Sequence, residues 1–171
     1  MNIRYATIAD LDDIASVEAE CFPVLEAATK EEFEQRIKYF GNHFWLMFDN
    51  DKLIAFVDGF VTDEANLTDE MYENASMHNE NGAWQMIFGV NTLPEYRRCG
   101  YAKELIKKAI LDAREQNRRG LVLTCKESLV PYYSKFGFVD EGITDKSTHG
   151  NVLWHQMRLD FKLRNTGVKQ I

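Results

Sequence analysis

Arg97-Arg98-Cys99-Gly100-Tyr101-Ala102 is the stretch on which the reading of the fold turns. It links a β-rich run, residues 83–91, through a short loop to a strongly periodic segment that starts at Gly100 and ends near Gln116. In that segment Ala102, Leu105, Ile106, Ala109, Ile110 and Ala113 recur at helical spacing, with Lys and Arg on the far side. A glycine at such a turn lets the backbone approach an anion closely, and the free N–H groups of the first helical turn point at it. The helix dipole and the two arginines deepen the favourable potential. No Gly-Lys-Ser/Thr follows and no GxGxxG run is present, so the turn is neither a Walker A loop nor a dinucleotide fingerprint.

Working outward, Gly120 closes the helix and residues 121–125 form a continuous apolar strand of the buried, parallel type. Ser128 is expected to cap a short helix, with Pro131 near its start and Gly137 just past its end. Residues 138–141 and 152–160 complete a strand pair. On the other side, residues 2–7 alternate as a strand. Thr7 and Asp10 then form a capping box that opens a helix over about 8–21, with Leu11, Ile14, Ala15, Glu18 and Cys21 in register. A second helix spans 30–40, on the stripe Phe33, Ile37 and Phe40. Residues 43–48 and 53–61 are β-rich and separated by Asp49-Asn50-Asp51, a hairpin turn. Residues 63–82 hold Asp63, Glu64, Asp69, Glu70, Glu73 and Glu80 with no Lys or Arg, and read mainly as loop with one helical turn near 69–74. Loops this long are uncommon in compact domains unless they cover a site. The order is that of an α/β fold, a single domain over 1–162 with a frayed tail over 163–171.

Composition narrows the partners. The net charge of -7 disfavours nucleic acid. Between Arg97 and Arg119, however, eight Lys or Arg face three acids, a local basic island suited to a small polyanion. On composition alone, a solvated helix face is the better reading of that island. Three widely spaced cysteines and no CxxC pair argue against a disulfide framework and suit a reducing, cytoplasmic setting. No run approaches the ~20 apolar residues of a membrane span, and the polar N-terminus is no secretory signal. His43, His78, His149 and His155 lack metal-ligand spacing, so no metal is expected.

Arg97-x-x-Gly100-x-Ala102 resembles the phosphate-cradling signature of the GNAT superfamily of N-acetyltransferases. Gly89-Val90-Asn91 and Pro94-Glu95-Tyr96 look like that family's strand exit and its lead into the turn, with about two extra residues between Val90 and Pro94. Downstream, Pro131-Tyr132-Tyr133 followed by Phe136-Gly137-Phe138 is similar to its aromatic-Tyr-x-x-x-Gly-Phe motif. A narrower likeness, over Thr124 to Phe138, is to the arylalkylamine (serotonin) N-acetyltransferase branch. The vertebrate members place a pair of histidines where this sequence has Trp84 and Met86, so that proton relay is missing.

The resemblance implies a mixed central sheet of about seven strands flanked by about four helices, and acetyl-CoA as co-substrate. It implies a cofactor site made by Phe88, Gly89, Val90, Arg97, Arg98, Cys99, Gly100, Tyr101, Ala102, Lys103 and Tyr133. The acetyl group passes by direct attack of a primary amine, a backbone N–H near Val90 donates to the oxyanion, and Tyr133 protonates the departing thiolate. A small arylalkylamine is the expected acceptor, to a monomer or homodimer. A protein N-terminus, a polyamine, an antibiotic amine, or CoA sensing without turnover are the alternatives. Glu26, in the apolar link 21–28, is the candidate base, weighed against a surface or capping role. His78 is a second base to test, against a structural histidine; Cys125 is read as packing. Trp84 either walls the amine site or packs in the core.

Overall fold

The structure, a computed structural model, describes residues 1–163. In chain order the elements are β1 (Asn2–Tyr5), α1 (Leu11–Cys21), α2 (Lys30–Phe40), β2 (Phe44–Asp49), β3 (Lys52–Asp58), β4 (Val61–Thr62), α3 (Asp69–Glu73), β5 (Trp84–Ile87), β6 (Gly89–Thr92), α4 (Tyr101–Glu115), β7 (Gly120–Cys125), α5 (Val130–Ser134), β8 (Val139–Ile143) and β9 (His155–Asp160). The expected α/β architecture is present. Its strands divide into two sheets, β1-β2-β3-β6 and β4-β5-β7-β9-β8, in which only β5 and β7 run parallel. No helix among the described residues is long and apolar enough to cross a membrane.

The division corrects the continuous strand expected over 83–91. The run breaks at Phe88: β5 belongs to the second sheet, and β6 pairs with β3 in the first. Its neighbour makes the same passage, since the expected strand over 53–61 splits into β3 and β4 around Gly59. A Cβ at Gly59 would lie 1.8 Å from the Met86 carbonyl oxygen, so only glycine lets the two chains cross this closely. The two sheets therefore part at Phe88, which lines the cavity described below.

Two apolar layers hold the frame. Along β2, Phe44, Leu46 and Phe48 face α1 and α2, while Trp45 and Met47 face α4. This is the two-residue alternation of a strand buried on both faces. Phe33 packs edge-on against Phe44 and Phe56, at centroid distances of 6.2 and 5.8 Å. On the other face Leu105, Ile106, Ala109 and Ala113 of α4 are all buried, as their spacing implied. Asp112 on the same helix is buried and satisfied by Trp45 Nε1 at 2.8 Å, Tyr5 at 2.7 Å and Lys108 at 2.7 Å.

Local signals hold in several places. Helix α2 has the expected bounds, and Thr29 caps it by accepting from Glu32 N–H at 3.2 Å. A 3-10 turn, Ile8–Asp10, precedes α1, with Thr7 N–H donating to Asp10 Oδ2 at 2.8 Å. Ser128 does not cap a helix: it lies inside a 3-10 turn, Glu127–Leu129, that leads into α5. Of the expected tail, 164–171 fall outside the described residues.

Candidate active site

The anion-binding turn forms as its sequence requires. Gly100 takes φ +85°, a left-handed conformation that L side chains rarely adopt, and it serves as the N-cap of α4. A Cβ built there would meet nothing within 4 Å, so the space above the turn is open to a ligand. The first helical bond runs from Glu104 N–H to Gly100 O, and the N–H groups of Tyr101, Ala102 and Lys103 remain at the helix mouth. Arg98, Cys99 and Lys103 are exposed around it. Arg97 is anchored by its Nε to Thr92 O at 2.9 Å, which ties the turn to the end of β6. An open cradle of amides and cations suits a pyrophosphate, so the residues present fit CoA.

The expected strand-side residues meet the turn from the other direction. Leu93 N–H donates to Ile54 O at 2.9 Å. Alternation along β6 then turns the Asn91 and Gly89 amides toward β3. The N–H of Val90 therefore faces the opposite edge, where β6 has no neighbouring strand among the described residues. The residues in excess between Val90 and Pro94 extend β6 as far as Thr92.

A cavity of about 580 Å³ opens beside this edge. Phe88, Gly89 and Val90 line it, as do Cys125 and Tyr133 on the β7–α5 side, and Cys21 at the end of α1 with Phe22, Pro23 and residues 25–28 after it. Asp69, Tyr72 and Glu73 of α3 supply part of its wall, so the acidic segment does border the site. Its rings are Phe22, Tyr72, Phe88, Tyr133 and Trp154; its charges are five carboxylates (Glu18, Glu26, Glu32, Asp69 and Glu73) against Arg36 and Lys126. An unequal field of this kind favours a cation.

Tyr133 is 7% exposed and packs edge-on against Tyr132 and Phe138. Its hydroxyl makes no hydrogen bond among the described residues. Burial pushes its pKa well above the usual phenol range, with Tyr132 and Cys125 adding to the effect, so it stays protonated. Burial also lifts the Cys125 thiol to about 11, which keeps it inert as a nucleophile. Glu26 reaches the cavity as expected and is 8% exposed, but Lys126 Nζ grips both oxygens, at 2.9 and 3.2 Å.

The sequence reading passed over a cluster behind Gly89. Glu18, Arg36, Asp58 and Asn91 are all buried there. Arg36 pairs with Asp58 at 3.0 Å and donates to Tyr72 O at 2.9 Å. Burial, with the charge of Asp58 second, raises Glu18 to about 7; burial, opposed by Arg36, raises Asp58 to about 6. Signals existed for both. Glu18 sits on the apolar stripe of α1, and Asp58 interrupts an apolar strand.

For Trp84 and His78 the structural alternative holds. Trp84 does not line the cavity; it lies between the guanidinium groups of Arg119 and Arg158, at 5.6 and 4.6 Å. His78 does not line it either. It forms a clasp with His43 and Glu80, the one His/Cys/Asp/Glu trio among the described residues placed to hold a metal. His78 Nδ1 accepts from Val61 N–H at 3.0 Å, so its Nε2 carries the proton and donates to Glu80 at 2.8 Å. That tautomer has no lone pair at Nε2 for a metal. On the other side of Glu80, His43 Nδ1 faces Gln85 Oε1 at 2.9 Å, and Gln85 is fixed by donating to Phe60 O and Met86 O. The clasp ties the acidic segment to the core.

Residues 11–138 match the sequence model of the acetyltransferase (GNAT) family. Serotonin N-acetyltransferase of Mesocricetus auratus is 30% identical over 93 residues, which are 53% of this chain and 43% of that protein. The chain thus spans less than half the length of this curated relative. The loading GNATL domain of CurA from Lyngbya majuscula superposes with a TM-score of 0.81 at 18% identity, over 95% of this chain and 98% of that one. The GphF GNAT-like decarboxylase, solved in complex with isobutyryl-CoA, gives 0.77 at 16% identity, over 94% and 99%.

Proposed function

The chain belongs to the acetyltransferase (GNAT) family, and from that premise we propose that it transfers an acetyl group from acetyl-CoA to the primary amine of a small arylalkylamine-type acceptor. The observation that carries this reading is the cavity: it opens beside the β6 edge that leads into the Gly100 turn, and it joins aromatic walls to five carboxylates against two cations. Aromatic faces suit a flat apolar acceptor, and the acidic excess draws in its ammonium. A GNAT-like fold solved with an acyl-CoA supports the co-substrate.

The roles follow from position. The amides of Tyr101, Ala102 and Lys103 hold the pyrophosphate, with Arg97, Arg98 and Lys103 supplying positive charge and Cys99 completing the turn. Phe88, Gly89 and Val90 form the edge along which the thioester lies, and the Val90 N–H polarises its carbonyl. Holding amine and thioester together in one cavity supplies proximity of the order of ~7–11 kcal/mol, so no covalent enzyme intermediate is needed. Tyr133 donates a proton to the leaving thiolate; burial keeps that proton in place at every working pH.

Two measurements test the assignment. In a panel read by release of CoA thiol, tryptamine and phenethylamine should exceed spermidine, kanamycin and an N-terminal peptide in kcat/KM. Peptides outrunning the arylalkylamines by about tenfold, roughly 1.4 kcal/mol of transition-state preference, reverse the ranking. In Tyr133→Phe, kcat should fall about tenfold or more with acetyl-CoA affinity nearly unchanged, and raising the pH should not restore it. Wild-type kcat in that variant assigns Tyr133 to positioning CoA instead.

A further inference from the structure

Glu18 meets the cavity with its two oxygens in unlike states. Oε2 accepts from Ala28 N–H at 2.8 Å, whereas Oε1 makes no hydrogen bond of ordinary length although the residue is only 6% exposed, and the Asn91 side-chain amide near it is unpartnered too. Oε1 lies 3.6 Å from where a Cβ on Gly89 would stand, beside the residue that precedes the Val90 amide. A buried carboxylate oxygen without a donor is unfavourable, and an ammonium group brings the donor it lacks. Arg36, whose charge reaches Glu18, pairs with Asp58 and donates to Tyr72 O.

We propose that Glu18, rather than Glu26, takes the proton from the acceptor's ammonium group. The inference rests on the acetyl-transfer reading and adds to it the group that makes the amine nucleophilic. Glu26 is already matched by Lys126, while Glu18 has no cation of its own.

The groups facing Glu18 from each packed element are Asp58 of β3, Arg36 of α2, Asn91 of β6 and Cys21 one turn further along α1. Burial and Asp58 hold its proton, while Arg36, the Ala28 amide and the Asn91 side chain favour its release. The balance leaves it near 7, where the base form is available and the proton is worth accepting.

The protons balance. Glu18 carboxylate takes one from the ammonium, and the free amine's lone pair forms the C–N bond. The C–S bond breaks, and the electron pair leaves on sulfur, which takes the Tyr133 proton. The second N–H proton is shed as the amide forms and returns through water to Tyr133. Glu18 then releases its proton to solvent, so each turnover frees one.

The test pairs phenethylamine, an ammonium at neutral pH, with O-benzylhydroxylamine, which has nearly the same shape and is already neutral there. Glu18→Gln keeps the acceptor for Ala28 N–H. It should shift the ratio of kcat/KM between the two at least tenfold toward O-benzylhydroxylamine at pH 7, and less at pH 9. An equal loss with both acceptors, or none with either, overturns the proposal. If the variant does not fold, wild type decides: kcat/KM for phenethylamine should fall below about pH 7 more steeply than that for O-benzylhydroxylamine, and a shared acid limb overturns it. Wild type that acetylates neither amine sinks the acetyl-transfer reading itself, and this inference with it.

Discussion

Gly100→Glu should abolish measurable acetyl-CoA binding while leaving the fold intact. Gly100 holds φ +85° and opens onto empty space, so the new side chain enters the volume assigned to the pyrophosphate. Its carboxylate replaces an attractive helix mouth with a repulsive charge. The left-handed backbone costs an L-residue only about 1–2 kcal/mol, a small part of the stability of a folded domain. We expect affinity to fall about a hundredfold or more by calorimetry, or ~2.7 kcal/mol, with an unchanged circular dichroism spectrum. Gly100→Ala separates the two causes, since it carries the same backbone cost without the charge and should lose much less. Unchanged affinity in Gly100→Glu removes the turn from the cofactor site.

Glu18→Gln should be more stable than wild type above neutral pH, the reverse of what is expected where a carboxylate holds a structure together. Burial lifts Glu18 from an ordinary value of 4.5 to about 7. Below the ordinary value both folded and unfolded chains carry the proton, and the group costs nothing. As pH rises toward 7 the unfolded chain gives up its proton first, and stability declines until the folded pKa is passed. The accumulated penalty is about 3 kcal/mol at pH 8–9, and Gln does not incur it. Thermal melts should therefore coincide near pH 4 and separate by roughly 6–12 °C at pH 8–9, with the variant higher. Asp58, raised to about 6 by burial, titrates in both proteins and does not create the difference. A variant that melts below wild type at pH 8 shows instead that the carboxylate is a structural anchor. A polar group kept at a stability cost beside a cavity is the pattern of a functional site.

The sequence was most informative where local chemistry decides. The Gly100 turn, the helix over 30–40 and the stripe on α4 each depend on contacts a few residues apart, and each stands as read. The break at Phe88 was hidden because β5 and β6 form one β-rich run; it is set by Gly59, nearly thirty residues earlier, crossing the Met86 carbonyl. The same distance left Trp84 open between wall and core, since Arg119, just before β7, and Arg158 of β9 reach it from far along the chain. Within the site, motif spacing led to Tyr133 and Gly100 but not to Glu18. An acidic residue on an apolar stripe is a visible anomaly, yet its meaning depends on Asp58 and Arg36 arriving from β3 and α2. Glu26 was legible as a buried carboxylate in an apolar link, but its partner Lys126 lies 100 residues away.

The most direct test follows both products of one reaction in purified protein supplied with acetyl-CoA and phenethylamine. Free CoA thiol and N-acetylphenethylamine should appear together in equal amounts, only when both substrates are present, and with no acetyl group retained on the protein. Thiol released without the amine, an acetylated protein side chain that accumulates before product, or no thiol at all contradicts direct transfer in this cavity.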